Sequence, residues 1–260
     1  MTDTIAFVRK PGLSFTKAIS SHPEKQTINI DRACSQHQYY VDALEENGIE
    51  VITFPALDSY PDAPFIEDTT VILDNVAIAC SNKEKSRQGE GKSIHAKIKE
   101  YRRLETLPKS AFLDGGDVLN TEEKLFVGIS SRTNLEAVNA LARFTKKNVI
   151  PIEVTCGLHL KSAATYLGKN VLVLNSASIR TSSLRKFEWI ETDELDNYAA
   201  NCLAIGNTVL MSAGTKSLAN KIRAKGFKTI ELNMSEFKKA DGGLTCLSIL
   251  FKKNIGQLIL

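Results

Sequence analysis

Short apolar runs recur along the chain in pairs, each pair broken by a polar, turn-forming centre. "TVILDNVAIA" turns at Asp74-Asn75, "DVLNTEEKLFVGI" near Glu122-Glu123, "ATYLGKNVLVL" at Gly168-Lys169-Asn170 and "CLAIGNTVLM" at Gly206-Asn207. β-Branched and aliphatic residues flanking such centres predict β-hairpins. The turn centres fall roughly 40 to 50 residues apart, a spacing that suggests repeated units. Helical periodicity fills the intervals. "ACSQHQYYVDALEENG" is predicted to begin after Asp31 as N-cap and to stop at Gly48. "KSIHAKIKEYRRLE" reads as a second helix. In "NLEAVNALARFTKK", with Thr133 as cap, Leu135, Val138, Leu141 and Ala142 share one face. A fourth helix, "TKSLANKIRAKG", ends at Gly226.

The unit is therefore strand, strand, helix, strand. A fifth hairpin is missing from the middle of the chain, and the two ends can supply it: "CLSILFKKN" near the C-terminus and "TIAFVRKP" at the N-terminus. Pairing them would close a ring of five units without an exposed sheet edge. An ordinary α/β sandwich without closure is the alternative. No low-complexity stretch or Pro/Gly/Ser linker divides the 260 residues, so a single domain, 1–260, is expected, large enough to need no disulfide or metal staple.

Composition narrows the classes. With 33 basic against 30 acidic residues the net charge is only +3, which argues against a nucleic-acid surface. Apolar runs such as "NVLVLN" are far short of a membrane span, and "MTDTIAFVRK" lacks the form of a secretory signal. The cysteines (Cys34, Cys80, Cys156, Cys202 and Cys246) are odd in number and widely scattered. Free thiols in a reducing cytoplasm are the simplest expectation.

One of those thiols stands out by position. Cys246 lies where the turn Asp241-Gly242-Gly243 runs into an apolar strand. A strand cysteine is most often core packing. The preceding glycines, however, permit close approach of backbone or ligand. A nucleophilic thiol also needs a base or cationic neighbour. His22 lies in a polar loop, and His37 and His95 in amphipathic helices; His159, between two leucines at a loop-to-strand junction, is the best partner. Cys156 and His159 form a Cys-x-x-His half-site, but structural zinc needs four ligands and no second close pair exists, so no metal is expected. "QGEGKS" is not a phosphate-binding loop, because Ser86 stands where that loop needs its first glycine.

Acidic clusters precede two hairpins: Glu67 and Asp68 in "APFIEDTTVIL", Asp114 and Asp117 in "AFLDGGDVLN". Singly, such residues cap turns. Together, at equivalent places in successive units, they could converge on a cation. Arg87 in "EKSRQGE" and Arg132 in "ISSRTN" follow the hairpins at similar offsets and suit a carboxylate. These residues describe a substrate with a cationic and an anionic end.

"FIEDTTVI", "FLDGGDVL", "FVGISSRTN", "LHLKS", "YAANC" and "KKADGGLTCLSIL", in that order, resemble the dimethylarginine dimethylaminohydrolases of the guanidino-group-modifying (pentein) superfamily. The likeness runs from "FVRKP" to the end of the chain. It implies an α/β fold, a five-bladed α/β propeller of ββαβ units closed by its terminal strands, acting as one catalytic domain. It also implies hydrolysis of asymmetric dimethylarginine or monomethylarginine to citrulline, through a covalent Cys-thiouronium intermediate and without a cofactor. Cys246 would be the nucleophile, His159 the general acid and base, and Asp114 and Asp68 the holders of the guanidinium, with Glu67 beside them. Arg87 and Arg132 would hold the substrate carboxylate and Asp62 its amino end. Asp241 would support the nucleophile. "KPGLSFTKA" would form a lid, with Phe15 at its rim. The partner is then a small guanidino amino acid, with no nucleic acid or membrane, and a homodimer is compatible. The chain departs from the family at Ser81-Asn82-Lys83, where an Arg-Pro-Gly turn is common, and at Gln88, where a second arginine often follows.

Two other readings use the same residues. One keeps the chemistry and changes the guanidine, to free arginine for example; the longer arginine deiminases carry a helical insertion not visible here. The other is a non-catalytic propeller binding module, like the ribosome anti-association factor of this fold. A binding module has no reason to carry Cys246, His159, Asp114 and Asp68 in matched motifs.

Overall fold

The computed structural model describes residues 3–253. The rest of the expected domain, including Asn254 of the C-terminal strand stretch, lies outside the described residues. Within them, strands form five three-stranded sheets. Thr70–Leu73 (β3) and Val76–Ala79 (β4) pair antiparallel, and β4 pairs parallel with Arg103–Thr106 (β5). Val118–Asn120 (β6), Lys124–Ile129 (β7) and Asn148–Glu153 (β8) repeat that pattern. So do Ala164–Gly168 (β9), Val171–Leu174 (β10) and Glu188–Glu191 (β11), and Leu203–Ile205 (β12), Thr208–Ser212 (β13) and Lys228–Leu232 (β14). The remaining sheet joins the two ends of the chain. Ser248–Lys252 (β15) runs antiparallel to Thr4–Arg9 (β1), which pairs parallel with Glu50–Phe54 (β2).

Helices carry the parallel crossovers, as parallel strands require: Ile30–Glu46 (α1), Lys92–Ile98 (α2), Leu135–Leu141 (α3) and Lys216–Ala224 (α4). Between β10 and β11 the crossover uses 3₁₀ turns instead. The caps differ from expectation in a consistent way. Asn29, not Asp31, caps α1 by accepting from Arg32 N at 2.8 Å, and Asn134, not Thr133, caps α3. The stretch read as one helix from Lys92 ends at Ile98, and Arg103–Thr106 is strand β5. On α3, Val138 and Leu141 are buried with Ala137 and Ala140, whereas Leu135 and Ala142 face solvent.

Five hydrophobic clusters each span two neighbouring sheets. Phe7, Ala77 and Ile249 share one cluster; Val71 packs with Val127, Phe126 with Leu172, Val173 with Val209, and Val8 with Leu210. Each sheet thus buries apolar side chains against two neighbours. The leading strands contact one another, β3 with β15, β6 with β9 and β9 with β12. Among the described residues no helix is long and apolar enough to cross a membrane.

Candidate active site

A 3₁₀ turn leads into every one of the five leading strands: Ile66–Thr69, Gly115–Asp117, Leu160–Ser162, Glu194–Ala200 and Thr245–Leu247. The equivalence of the sheets puts these turns at one end of the assembly. Glu67, Asp68, Asp114, His159, Asn201, Thr245 and Cys246 all lie on or beside them. Five segments far apart in sequence thus supply one site.

Asp68, Asp114 and His159 are buried, and their ligand atoms lie within 4.8 Å of one another. His159 Nε2 is 3.1 Å from Asp114 Oδ2. Gly116 N–H donates to Asp68 Oδ1 at 2.8 Å. A Cβ on Gly116 would stand 2.6 Å from His159 Nδ1, so the ring needs a glycine there. Burial alone would neutralise His159, but Asp68, Asp114 and Asp117 outweigh it and raise the imidazole to about 9. Burial likewise opposes the charge of Asp68, yet His159, Arg87 and the Gly116 N–H hold it down at about 2. Two carboxylates and an imidazole could suit a small divalent cation. A metal would first have to displace the proton that these carboxylates hold on His159, and the Arg87 guanidinium from Asp68 Oδ2.

Arg87 is where the structure departs most from the carboxylate-clamp expectation. Its guanidinium is buried, donating to Asp68 Oδ2 at 2.6 Å, Glu90 Oε1 at 2.5 Å and Phe65 O at 3.0 Å. All three partners belong to the protein. Arg132, in contrast, lines the main cavity and sits 3.6 Å from Asp114 Oδ2, its buried Nη1 lacking a hydrogen-bond partner.

The cavity, of about 760 Å³, is lined by Cys246, Arg132, Asn201, Tyr198 and Asp241 and by the segment 19–22. That volume suits a small metabolite. Asp68, Asp114 and His159 are buried and do not line it. Cys246 Sγ accepts from Gly243 N–H at 3.3 Å. Burial first, then the charges of Glu67 and Asp68, push its thiol up to about 12. Burial and the nearby carboxylates thus favour the neutral thiol, while the acidic cluster favours the charged imidazole.

Glu67 spends both oxygens on the protein, accepting from Lys161 Nζ and from Thr245 Oγ1 at 2.9 Å. Asp62 and Asp241 are brought to the segment 19–22 rather than to each other. Asp62 accepts from Ile19 N at 3.1 Å, and Asp241 Oδ2 from Ser21 N at 2.6 Å and Ser21 Oγ at 2.9 Å. Phe15 does not line the cavity. Its ring is fully buried against Phe65 and Phe237, because an apolar ring gains more from that cluster than from a wet rim. Segment 19–22 takes the rim position. The glycines before Cys246 make room for side chains: a Cβ on Gly242 would overlap the Phe65 ring, and one on Gly243 the Asn201 amide.

Sequence reasoning placed Asp117 only in an acidic cluster converging on a cation, and assigned no part to Asn82 or Asn201. Asp117 accepts from Leu160 N at 2.8 Å and fixes the turn that carries His159. Asn82, within the departing loop, donates to Asp114 Oδ1 at 2.7 Å and Asp68 O at 3.0 Å. The polarity of a loop asparagine gives no hint of these partners; only its replacement of the usual turn marked the loop.

The raised imidazole has a consequence for stability. A folded value near 9 against 6.5 for the free side chain means that His159 contributes fully below pH 6.5, and the contribution is lost as pH rises through about 9. The denaturation midpoint should therefore fall between pH 6.5 and 9. In a His159→Gln variant that slope should be flatter; equal slopes would show that the imidazole is not held charged.

A sequence profile described as N,N dimethylarginine dimethylhydrolase, eukaryotic, matches residues 14–250. The N(G),N(G)-dimethylarginine dimethylaminohydrolase of Pseudomonas aeruginosa is 29% identical over 251 residues, covering 94% of this chain and 97% of that protein. A solved structure of the Pseudomonas aeruginosa enzyme, a cysteine-to-serine variant complexed with citrulline, matches with a TM-score of 0.91 at 26% identity over 96% of this chain and all of that one. The bifunctional arginine dihydrolase/ornithine cyclodeaminase of Synechocystis is 25% identical over 237 residues, 84% of this chain but 33% of that protein.

Proposed function

The chain belongs to the dimethylarginine dimethylaminohydrolase family and is a hydrolase acting on C–N bonds, and from that premise we propose that it converts asymmetric dimethylarginine or monomethylarginine to citrulline as a single catalytic domain. The observation that carries the reading is the buried cluster of Asp68, Asp114 and His159, with ligand atoms within 4.8 Å of one another, together with a cavity lined by Cys246 and Arg132. Such a site has negative charge fixed in place and a nucleophile that stays silent until a cation arrives.

The substrate binds in the cavity with its guanidinium turned toward the buried Asp68 and Asp114, and Arg132 takes the carboxylate. Arg87 holds Asp68 ionised and oriented, in place of the clamp role that the resemblance gives it. The bound guanidinium is a cation close to Cys246 and lowers its thiol, whose proton leaves to solvent. The Sγ thiolate attacks the guanidinium carbon, forming a C–S bond. His159, already protonated, gives its proton to the departing amine nitrogen as the C–N bond breaks. The thiouronium left on Cys246 is attacked by water that gives a proton to His159. The C–S bond breaks, releasing citrulline.

Arginine is the substrate of the second reading, favoured by the likeness to an arginine dihydrolase. Purified protein incubated with asymmetric dimethylarginine, monomethylarginine and arginine separates the two. Citrulline is expected from the methylated substrates at a kcat/KM at least about tenfold above that for arginine, the ratio one pocket contact can supply. Equal efficiency on all three would move the reading to a general guanidine hydrolase.

A further inference from the structure

We infer that Asn201 is a positioning residue that sets the Cys246 thiol against the His159 imidazole. The inference rests on the nucleophile and acid–base roles proposed above. Asn201 is buried at the end of the 3₁₀ turn leading to β12, and it lines the main cavity. Its side chain makes three hydrogen bonds. Oδ1 accepts from Thr245 N at 3.0 Å; Nδ2 donates to Thr245 Oγ1 at 2.9 Å and to Lys161 O at 2.9 Å.

Those partners occupy both halves of the site. Thr245 is the residue before Cys246, and Asn201 holds it by backbone and hydroxyl at once. The amide also rests on Gly243, whose N–H donates to Cys246 Sγ. Lys161 lies two residues after His159, in the turn whose other side Asp117 pins through Leu160 N. The ring then closes: Thr245 Oγ1 donates to Glu67 Oε2, and Glu67 Oε1 takes the Lys161 ammonium. One carboxamide, which offers an acceptor and two donors, therefore joins the nucleophile turn to the imidazole turn. Neither aspartate nor leucine of the same size can make all three bonds. Asn201 touches none of the reacting atoms, so its effect is on their geometry and on the charge that Thr245 and Glu67 present to the sulfur.

The test pairs steady-state kinetics on asymmetric dimethylarginine with the pH profile of iodoacetamide alkylation at Cys246, followed by peptide mass. Asn201→Ala is expected to lower kcat about ten- to a hundredfold with KM changed less than about threefold, as a small misplacement of catalytic groups does. Asn201→Asp keeps the acceptor for Thr245 N, removes both donors and adds a charge; Cys246 alkylation should shift to higher pH. Thr245→Ser should retain near-normal kcat and Thr245→Val should not. A folded Asn201→Ala with unchanged kcat, or a loss confined to KM, overturns the inference. Should that variant fail to fold, an unshifted alkylation profile in Asn201→Asp overturns it instead. Cys246→Ala keeps the two levels apart. Full turnover in it would sink the nucleophile role itself, whereas no turnover in it beside normal Asn201 variants would sink this inference alone.

Discussion

Cys246→Ser is expected to reduce hydrolysis of asymmetric dimethylarginine by about four orders of magnitude or more while leaving the thermal midpoint almost unmoved. The two effects separate because the sulfur's packing and its reactivity draw on different properties. The Gly243 N–H that reaches Sγ at 3.3 Å can be accepted by a hydroxyl of nearly the same shape. The hydroxyl cannot ionise in a site where even the thiol is pushed up to about 12, by burial and by the charges of Glu67 and Asp68. Substrate binding should survive, since the carboxylates and Arg132 are untouched. The measurement is citrulline release together with a substrate titration by calorimetry. Retained turnover would remove Cys246 from the chemistry; lost binding would show that the thiol anchors the substrate.

His159→Gln carries the second large effect, a fall in kcat of about 10² to 10⁴, the range for a lost general acid–base. Glutamine can still donate to Asp114, so the local hydrogen bond is partly kept while the titrating proton is lost. Amine departure needs that proton, and water attack needs the neutral imidazole left once it has gone. Intact-mass analysis after rapid quenching should find little adduct if the first step is the slower, and a thiouronium adduct on Cys246 if it is the second. A kcat within a few-fold of wild type would assign proton transfer elsewhere.

The order of strands was legible in the sequence because each hairpin rests on a local signal. Asp74, Lys169 and Asn170 have positive φ, as does Gly206, at the very hairpin centres where turn chemistry predicted them. Helix ends were less legible. Asn29 and Asp31, like Thr133 and Asn134, are both good caps, and only packing decides between such neighbours. Arg103–Thr106 reads as the end of a helix on propensity, yet pairing with β4 makes it a strand. In the site, residue identity told of acids, bases and a thiol, but not of who pairs with whom. Arg87 was visible as a cation near an acidic cluster; its choice of Asp68 and Glu90 depends on burial, which a loop sequence does not reveal. Phe15 shows the converse, since its loop position suggested a rim and its apolar ring takes it to the core.

Glu67 bonds Thr245 across 178 positions of chain and Lys161 across 94. Bonds of that span exist only when sheets distant in sequence are docked with fixed side-chain packing. A loosened, molten-globule-like state could keep its strands and helices, and hence its far-ultraviolet dichroism, while these bonds are already gone. Catalytic turnover in this protein is thus a probe of tertiary order, and it should vanish earlier along a denaturant or acid titration than backbone spectroscopy reports.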